Sequence, residues 1–269
     1  MPRRLIILAA VLAAMQVTVV PAGAITYGEP DGNTHRNVGA LIAEWDPDSP
    51  GLELLCSGSL IADDVFLTAA HCTAFLESQG IEEVFVSFAQ DNDPVDPATL
   101  HSGTMFTHPG FPGPQSDPKD IAVVVLDEPV TGITPAKLPK AGLFDKMKKA
   151  GTLKGQKFTA VGYGVHEPEI GGGPPTFPFD GERWRSVSSF NALNKAWLRL
   201  SQNDATGDGG TCFGDSGGPN FLGTGSQTVP GTVASITVTG DAMCLATNDT
   251  YRMDTTSARN FLGQFVTLP

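Results

Sequence analysis

The sequence predicts an all-β protein built from paired antiparallel barrels, with one helix at its C-terminal end. Three observations predict it. Short strand-like runs recur along the chain, among them Val84-Phe85-Val86-Ser87-Phe88, Ile121 to Leu126, Lys157 to Val161 and Thr232 to Val238. Clusters of Gly, Pro and Asp separate them, and 31 Gly and 21 Pro suit many tight connections. Helical periodicity is scarce, and its best instance is terminal. There Thr256-Ser257 reads as a cap, and Ala258 to Val266 puts Phe261, Leu262 and Phe265 on one face.

The first 24 of the 269 residues read as a secretory signal. Arg3 and Arg4 supply the positive start, Leu5 to Ala14 the apolar stretch, and Ala22-Gly23-Ala24 the small-residue cleavage site. That apolar stretch is too short to span a bilayer. The expectation is a secreted protein, free of the membrane once the signal is removed. The 245 residues after position 24 suffice for one large all-β domain or two small ones.

The formal charge is −12, and −14 once Arg3 and Arg4 are gone. Such a surface repels nucleic acid, so no nucleic-acid partner is expected. Seven of the nine lysines lie between Lys137 and Lys157, an island read as a solvated connector rather than a docking patch. Four cysteines in an exported chain allow three disulfide connectivities. No Cys-x-x-Cys spacing suggests zinc.

Chemistry concentrates in Gly214-Asp215-Ser216-Gly217-Gly218-Pro219. A nucleophilic serine needs a tight turn, an exposed hydroxyl and free N–H groups aimed at one point, which glycines permit. It also needs a base to take its proton and a third group to orient that base. The stretch matches Gly-x-Ser-x-Gly, the nucleophile elbow of a hydrolase fold whose histidine follows its serine. All five histidines here (His35, His71, His101, His108 and His166) precede Ser216, so order alone excludes that fold. The orders His…Asp…Ser and Asp…His…Ser remain.

His71 has the richest context, in Leu67-Thr68-Ala69-Ala70-His71-Cys72. Asp120 opens Asp120-Ile121-Ala122-Val123-Val124-Val125-Leu126, an acid at the mouth of a β-branched strand. Thr-Ala-Ala-His-Cys, Asp-Ile-Ala-Val-Val-Val-Leu and Gly-Asp-Ser-Gly-Gly-Pro, in that order, resemble the trypsin/chymotrypsin-type serine proteases. The resemblance covers roughly Ile25 to the C-terminus.

It implies two six-stranded Greek-key barrels with a C-terminal helix, a chymotrypsin-like fold. The first barrel, residues 25–133, would carry His71 and Asp120. The second, residues 134–269, would carry Ser216, and the site would lie in the cleft between them. It implies a serine endopeptidase in which Ser216 is the nucleophile, His71 the general base and Asp120 its orienting acid. The N–H groups of Gly214 and Ser216 would form the oxyanion hole. An inactive homologue that only binds, and an esterase, are the alternatives.

The resemblance further implies disulfides Cys56–Cys72 and Cys212–Cys244, each typically worth ~2–4 kcal/mol. It pairs Asp215 with a freed α-ammonium. Ile25 directly follows the predicted cleavage point, so signal removal itself would create that ammonium. Thr26 and Tyr27 depart from the family's usual Val-Gly at this end. The specificity pocket would have Gly210 at its base and Ser235-Ile236-Thr237 along its wall. Thr237 would narrow it toward small or medium apolar residues, unless the Asp249 carboxylate reaches the base and attracts Lys or Arg.

Protein or peptide substrates, a monomer and no cofactor are expected. Asp91, Asp93 and Asp96 stand where some family members bind calcium. Their spacing is not an EF-hand, and a Pro-stiffened acidic loop is the plainer reading. Residues 91–97 and 166–181 are read as surface loops, and His35, His101, His108 and His166 as surface or loop residues. Asn248-Asp249-Thr250 is a glycosylation sequon, meaningful in a eukaryotic host.

Overall fold

In the computed structural model, residues 25–224 and 231–269 are described. The predicted signal, residues 1–24, lies outside them. The first barrel consists of β2 (Val38–Ala43), β3 (Glu53–Ala62), β4 (Val65–Thr68), β5 (Val84–Ser87), β6 (Leu100–Thr107) and β7 (Ala122–Leu126). It closes in the order β2-β3-β4-β7-β6-β5. The second consists of β8 (Lys157–Gly162), β9 (Trp184–Leu193), β10 (Trp197–Ser201), β11 (Pro219–Leu222), β12 (Val233–Gly240) and β13 (Thr247–Arg252). Its order is β8-β9-β10-β13-β12-β11, and β11 pairs with β8 to close the ring. Both rings thus run first, second, third, sixth, fifth, fourth, and every pairing between their strands is antiparallel. The fold is the expected pair of six-stranded barrels with a C-terminal helix.

β-branched and aromatic residues make the first barrel, with Phe66 opposite Val124 and Leu67 opposite Val123. Leu41, Leu60, Phe66 and Leu67 are fully buried. Each such side chain contributes about 1.5–3 kcal/mol by leaving water. Closure satisfies the strand edges of both rings, apart from the stretch of β9 that takes β1 (Glu29–Pro30).

Each end of the described residues packs on the barrel opposite to the one expected for it. β1 (Glu29–Pro30) pairs with β9 of the second barrel, so residues 25–31 do not join the first. The C-terminal helix α3 spans Thr256–Leu262. It lies against the first barrel: His108 and Phe106 contact Phe261 and Phe265, at ring separations of 5.1 and 5.3 Å. Its cap is Thr255, whose hydroxyl accepts from Ala258 N–H, rather than Thr256-Ser257.

Two helices were not legible as such. α1 (Ala70–Ser78) carries His71. α2 (Leu143–Ala150) occupies the lysine-rich connector, burying Phe144 and placing Asp145 in its first turn and Lys148 and Lys149 in its last. That arrangement complements the helix dipole. The two expected surface loops meet: Asn92 N–H donates to Gly181 O at 3.0 Å, and Asp91 bridges to Glu182.

Two of the histidines read as surface or loop residues lie in loops that bury them. His35 is 2% exposed, bonds Asp31 through Nδ1 at 2.5 Å and stacks on Phe221. His166 is 1% exposed, against Trp184. Buried Arg183 ties the N-terminal segment to both barrels. Its guanidinium donates to Asp31, Gly32 O, Val38 O, Phe88 O and Tyr163 Oη.

Candidate active site

His71 sits at the start of α1, held against β3 by the Cys56–Cys72 disulfide. Asp120 lies just before β7, 4% exposed. Its Oδ2 meets His71 Nδ1 at 2.8 Å, and its Oδ1 accepts the His71 backbone N–H at 2.9 Å. One carboxylate therefore fixes the imidazole and the backbone that bears it, leaving Nε2 as the outward nitrogen. The His71 side chain is 33% exposed, enough to meet a substrate.

Ser216 lies on the loop between β10 and β11, which the Cys212–Cys244 disulfide joins to the loop before β13. Gly214 has φ 93° and Gly217 has φ 77°, backbone that L side chains rarely adopt. At Gly217 a Cβ would also run into the backbone of Ser57 and Ala69. The loop folds on itself through Asp215 N–H to Cys212 O and Gly218 N–H to Asp215 O. Among the described residues, the N–H groups of Gly214 and Ser216 donate to no protein acceptor.

Ser57, on β3, was not singled out in the sequence. Its N–H donates to Ser216 O at 2.9 Å, and its hydroxyl donates to Gly214 O and accepts from Tyr163 N–H, both at 3.0 Å. Nothing in Cys56-Ser57-Gly58 marked it beyond its place beside a disulfide.

Asp215 is fully enclosed. Its partners among the described residues are the N–H groups of Gly164 at 2.9 Å and Cys212 at 2.8 Å. Burial pushes its carboxyl up to about 7, against the opposing pull of those two donors. Ile25 is also fully buried and packs with Ala160 and Trp184. Asp215 packs on Gly162, two residues further along the same strand as Ala160. Ile25 has φ 64°, a strained value for a β-branched residue.

Beside Ser216 is a cavity of about 170 Å³, walled by Thr237, Val238, Thr239, Ala242 and the Cys212–Cys244 bridge. Thr237 is one of its walls. Ser235 does not reach the cavity, because its hydroxyl faces Thr250 inside the barrel at 2.7 Å. Gly210 is also set back, with its N–H on Thr26 O. Asp249 corrects an expectation. Strand alternation turns it to the outer face, where it pairs with Arg199 and lines a different cavity. The neighbouring sequon asparagine, Asn248, is fully buried between β10 and β12, so the folded chain offers it to no glycan.

Among the described residues, the one group of metal-type ligands close together is Cys56, His71 and Cys72, and its two sulfurs are bonded to each other. Asp91 and Asp96 instead turn their loop, accepting from the N–H groups of Asp93 and Ala98. No described helix is long and apolar enough to cross a membrane. The family model described as Trypsin matches residues 46–252 of the chain.

Proposed function

Since the chain belongs to the trypsin family, we propose that it is a secreted serine endopeptidase in which Ser216, His71 and Asp120 act as a triad. One observation carries the reading: Asp120 binds both the Nδ1 and the backbone N–H of His71. This holds the imidazole with Nε2 as the free base.

Ser216 Oγ attacks the carbonyl carbon of the scissile bond and its proton passes to His71 Nε2. The oxygen that gains charge is met by the N–H groups of Gly214 and Ser216, each such donor being worth roughly 3 kcal/mol in the transition state. His71 then protonates the leaving amine, which departs with the C-terminal part of the substrate. Water repeats the sequence on the acyl-enzyme, giving its proton to His71, which returns it to Ser216 Oγ as that oxygen leaves and the acid is released. Asp120 stabilises the imidazolium in both halves.

Activation follows from the chain's start. Cleavage before Ile25 would free an ammonium for Asp215, which has backbone N–H donors as its partners and no cation beside it among the described residues. The strained φ of Ile25 is defined by its bond to residue 24, so the same cut would remove that strain.

The test is labelling by a serine-directed phosphonate, together with hydrolysis of protein substrates, using Ser216→Ala as control. N-terminal sequencing of the secreted, active protein checks the start at Ile25. Labelling without proteolysis would favour an esterase, and no labelling a binding protein.

A further inference from the structure

Away from the candidate site, an open cavity of about 570 Å³ lies where the connector between the barrels, the end of β11 and the C-terminal tail meet. Pockets of this size hold drug-sized ligands. It shares no lining residue with the cavity beside Ser216. Its apolar wall comes from Leu138 of the connector, Leu143 at the start of α2, Leu222 of β11 and Leu268 of the tail, each only half-buried. Four leucines from four segments thus keep apolar surface beside one space. A hydrocarbon chain entering it would take that surface out of water.

The walls are tied together by the protein itself. Lys137 N–H donates to Gly231 O at 2.9 Å, and Val233 N–H donates to Lys137 O at 2.8 Å, which pins the connector to the second barrel. Arg259 of α3 donates to Pro139 O at 2.6 Å and to Pro269 O at 2.7 Å, which pins the connector to the tail. A cavity already formed costs its ligand little reorganisation.

Charge selects the other end of that ligand. Lys137 and Lys140 line the cavity and are exposed. Neither ammonium has a hydrogen-bond or carboxylate partner among the described residues, and residues 1–24 and 225–230 contain no acid to supply one. In the same lysine-rich stretch Lys146, Lys148 and Lys157 are engaged, by Ala141 O, Leu193 O and Asp208. No Asp or Glu lines the cavity, and the Pro269 oxygen is already met by Arg259. The chain carries 29 acids against 17 lysines and arginines. Most of its surface therefore repels an anion, whereas these two cations attract one.

We propose that this cavity binds a single-chain amphipathic carboxylate, a molecule of the fatty-acid class. Its hydrocarbon lies along the four leucines and its carboxylate beside Lys137 and Lys140. Bound there, it bridges connector, second barrel and tail without touching Ser216 or His71. The inference is independent of the peptidase reading.

The experiment is calorimetric titration of the full chain with sodium hexanoate, octanoate and decanoate. One saturable site is expected, with Kd falling about 4-fold for each added methylene until the cavity is full. Octanol should bind at least 10-fold more weakly than octanoate. Lys137→Gln and Lys140→Gln together, both at exposed positions, should bring octanoate to the level of octanol and leave octanol unchanged. Leu268→Trp fills the cavity and should weaken both at least 10-fold.

The inference is overturned if octanoate binding does not saturate, if affinity does not rise with chain length, or if the double lysine variant binds octanoate as wild type does. It is equally overturned if the chain binds vesicles of phosphatidylcholine and phosphatidylglycerol but not soluble octanoate, which would make this face a membrane-contact surface.

Discussion

The backbone N–H of Ser57, in the first barrel, donates to the carbonyl of Ser216, in the second, at 2.9 Å. Because the Ser57 hydroxyl also holds Gly214 O and Tyr163 N–H, one residue of the histidine-bearing barrel positions both ends of the serine turn. Ser57→Ala keeps the backbone bond and leaves the other two groups unpaired in a buried place. A stability loss of about 1–3 kcal/mol is expected in denaturant unfolding. Steady-state kinetics should show kcat reduced with KM little changed, whereas an equal fall in Ser57→Thr would argue against a role for the hydroxyl.

Asp120→Asn should lower kcat by about 10⁴-fold, the loss the equivalent change produces in this family, because the amide favours the wrong imidazole tautomer. The fold should persist, since Asn can still accept the His71 backbone N–H. Circular dichroism and the unfolding midpoint check that, and phosphonate labelling should slow in parallel with kcat.

Asp215 makes the full-length chain sensitive to pH. Its folded carboxyl, raised to about 7, lies above the unfolded value of 3.8. Its contribution is therefore fully present below pH ~4 and lost as pH rises through about 7, amounting to as much as about 4 kcal/mol. In the full-length chain, Asp215→Asn should remove this decline. In protein starting at Ile25 the same substitution should abolish activity. Urea unfolding of both forms from pH 4 to 8 tests the pair of expectations, and an unaltered decline in the Asn variant contradicts them.

Arg199 and Asp249 form a surface pair, with Arg199 46% exposed, so their removal should cost under about 1 kcal/mol. Asp249→Ala should also leave the ranking of cleaved residues unchanged. A selective loss of cleavage after Lys or Arg would return Asp249 to the pocket.

The three segments of the candidate site were legible because each needs residue types with few other uses: a serine among glycines, a histidine among small residues, an acid opening a β-branched strand. The barrels were legible from the strand runs and turn residues that surround those segments. What escaped depended on distant packing. The cavity lined by Lys137 and Lys140 exists only because the connector, β11 and the C-terminal tail meet there. Asp249 was misplaced because spacing from Cys244 does not reveal strand register, and one residue of register decides which face a side chain takes. His35 is hidden because Phe221 stacks on it from the second barrel while Asp31, itself held by Arg183, bonds its ring.

The crossing of the chain ends bears on how this molecule comes apart. β1 adds to the second barrel and α3 lies on the first, so each half is clasped by a segment covalently attached to the other. A single nick in the lysine-rich connector would sever the chain without freeing either half. With each barrel held by a segment of the other, a single unfolding transition is the expected behaviour, and the candidate site between them would be lost in that one step.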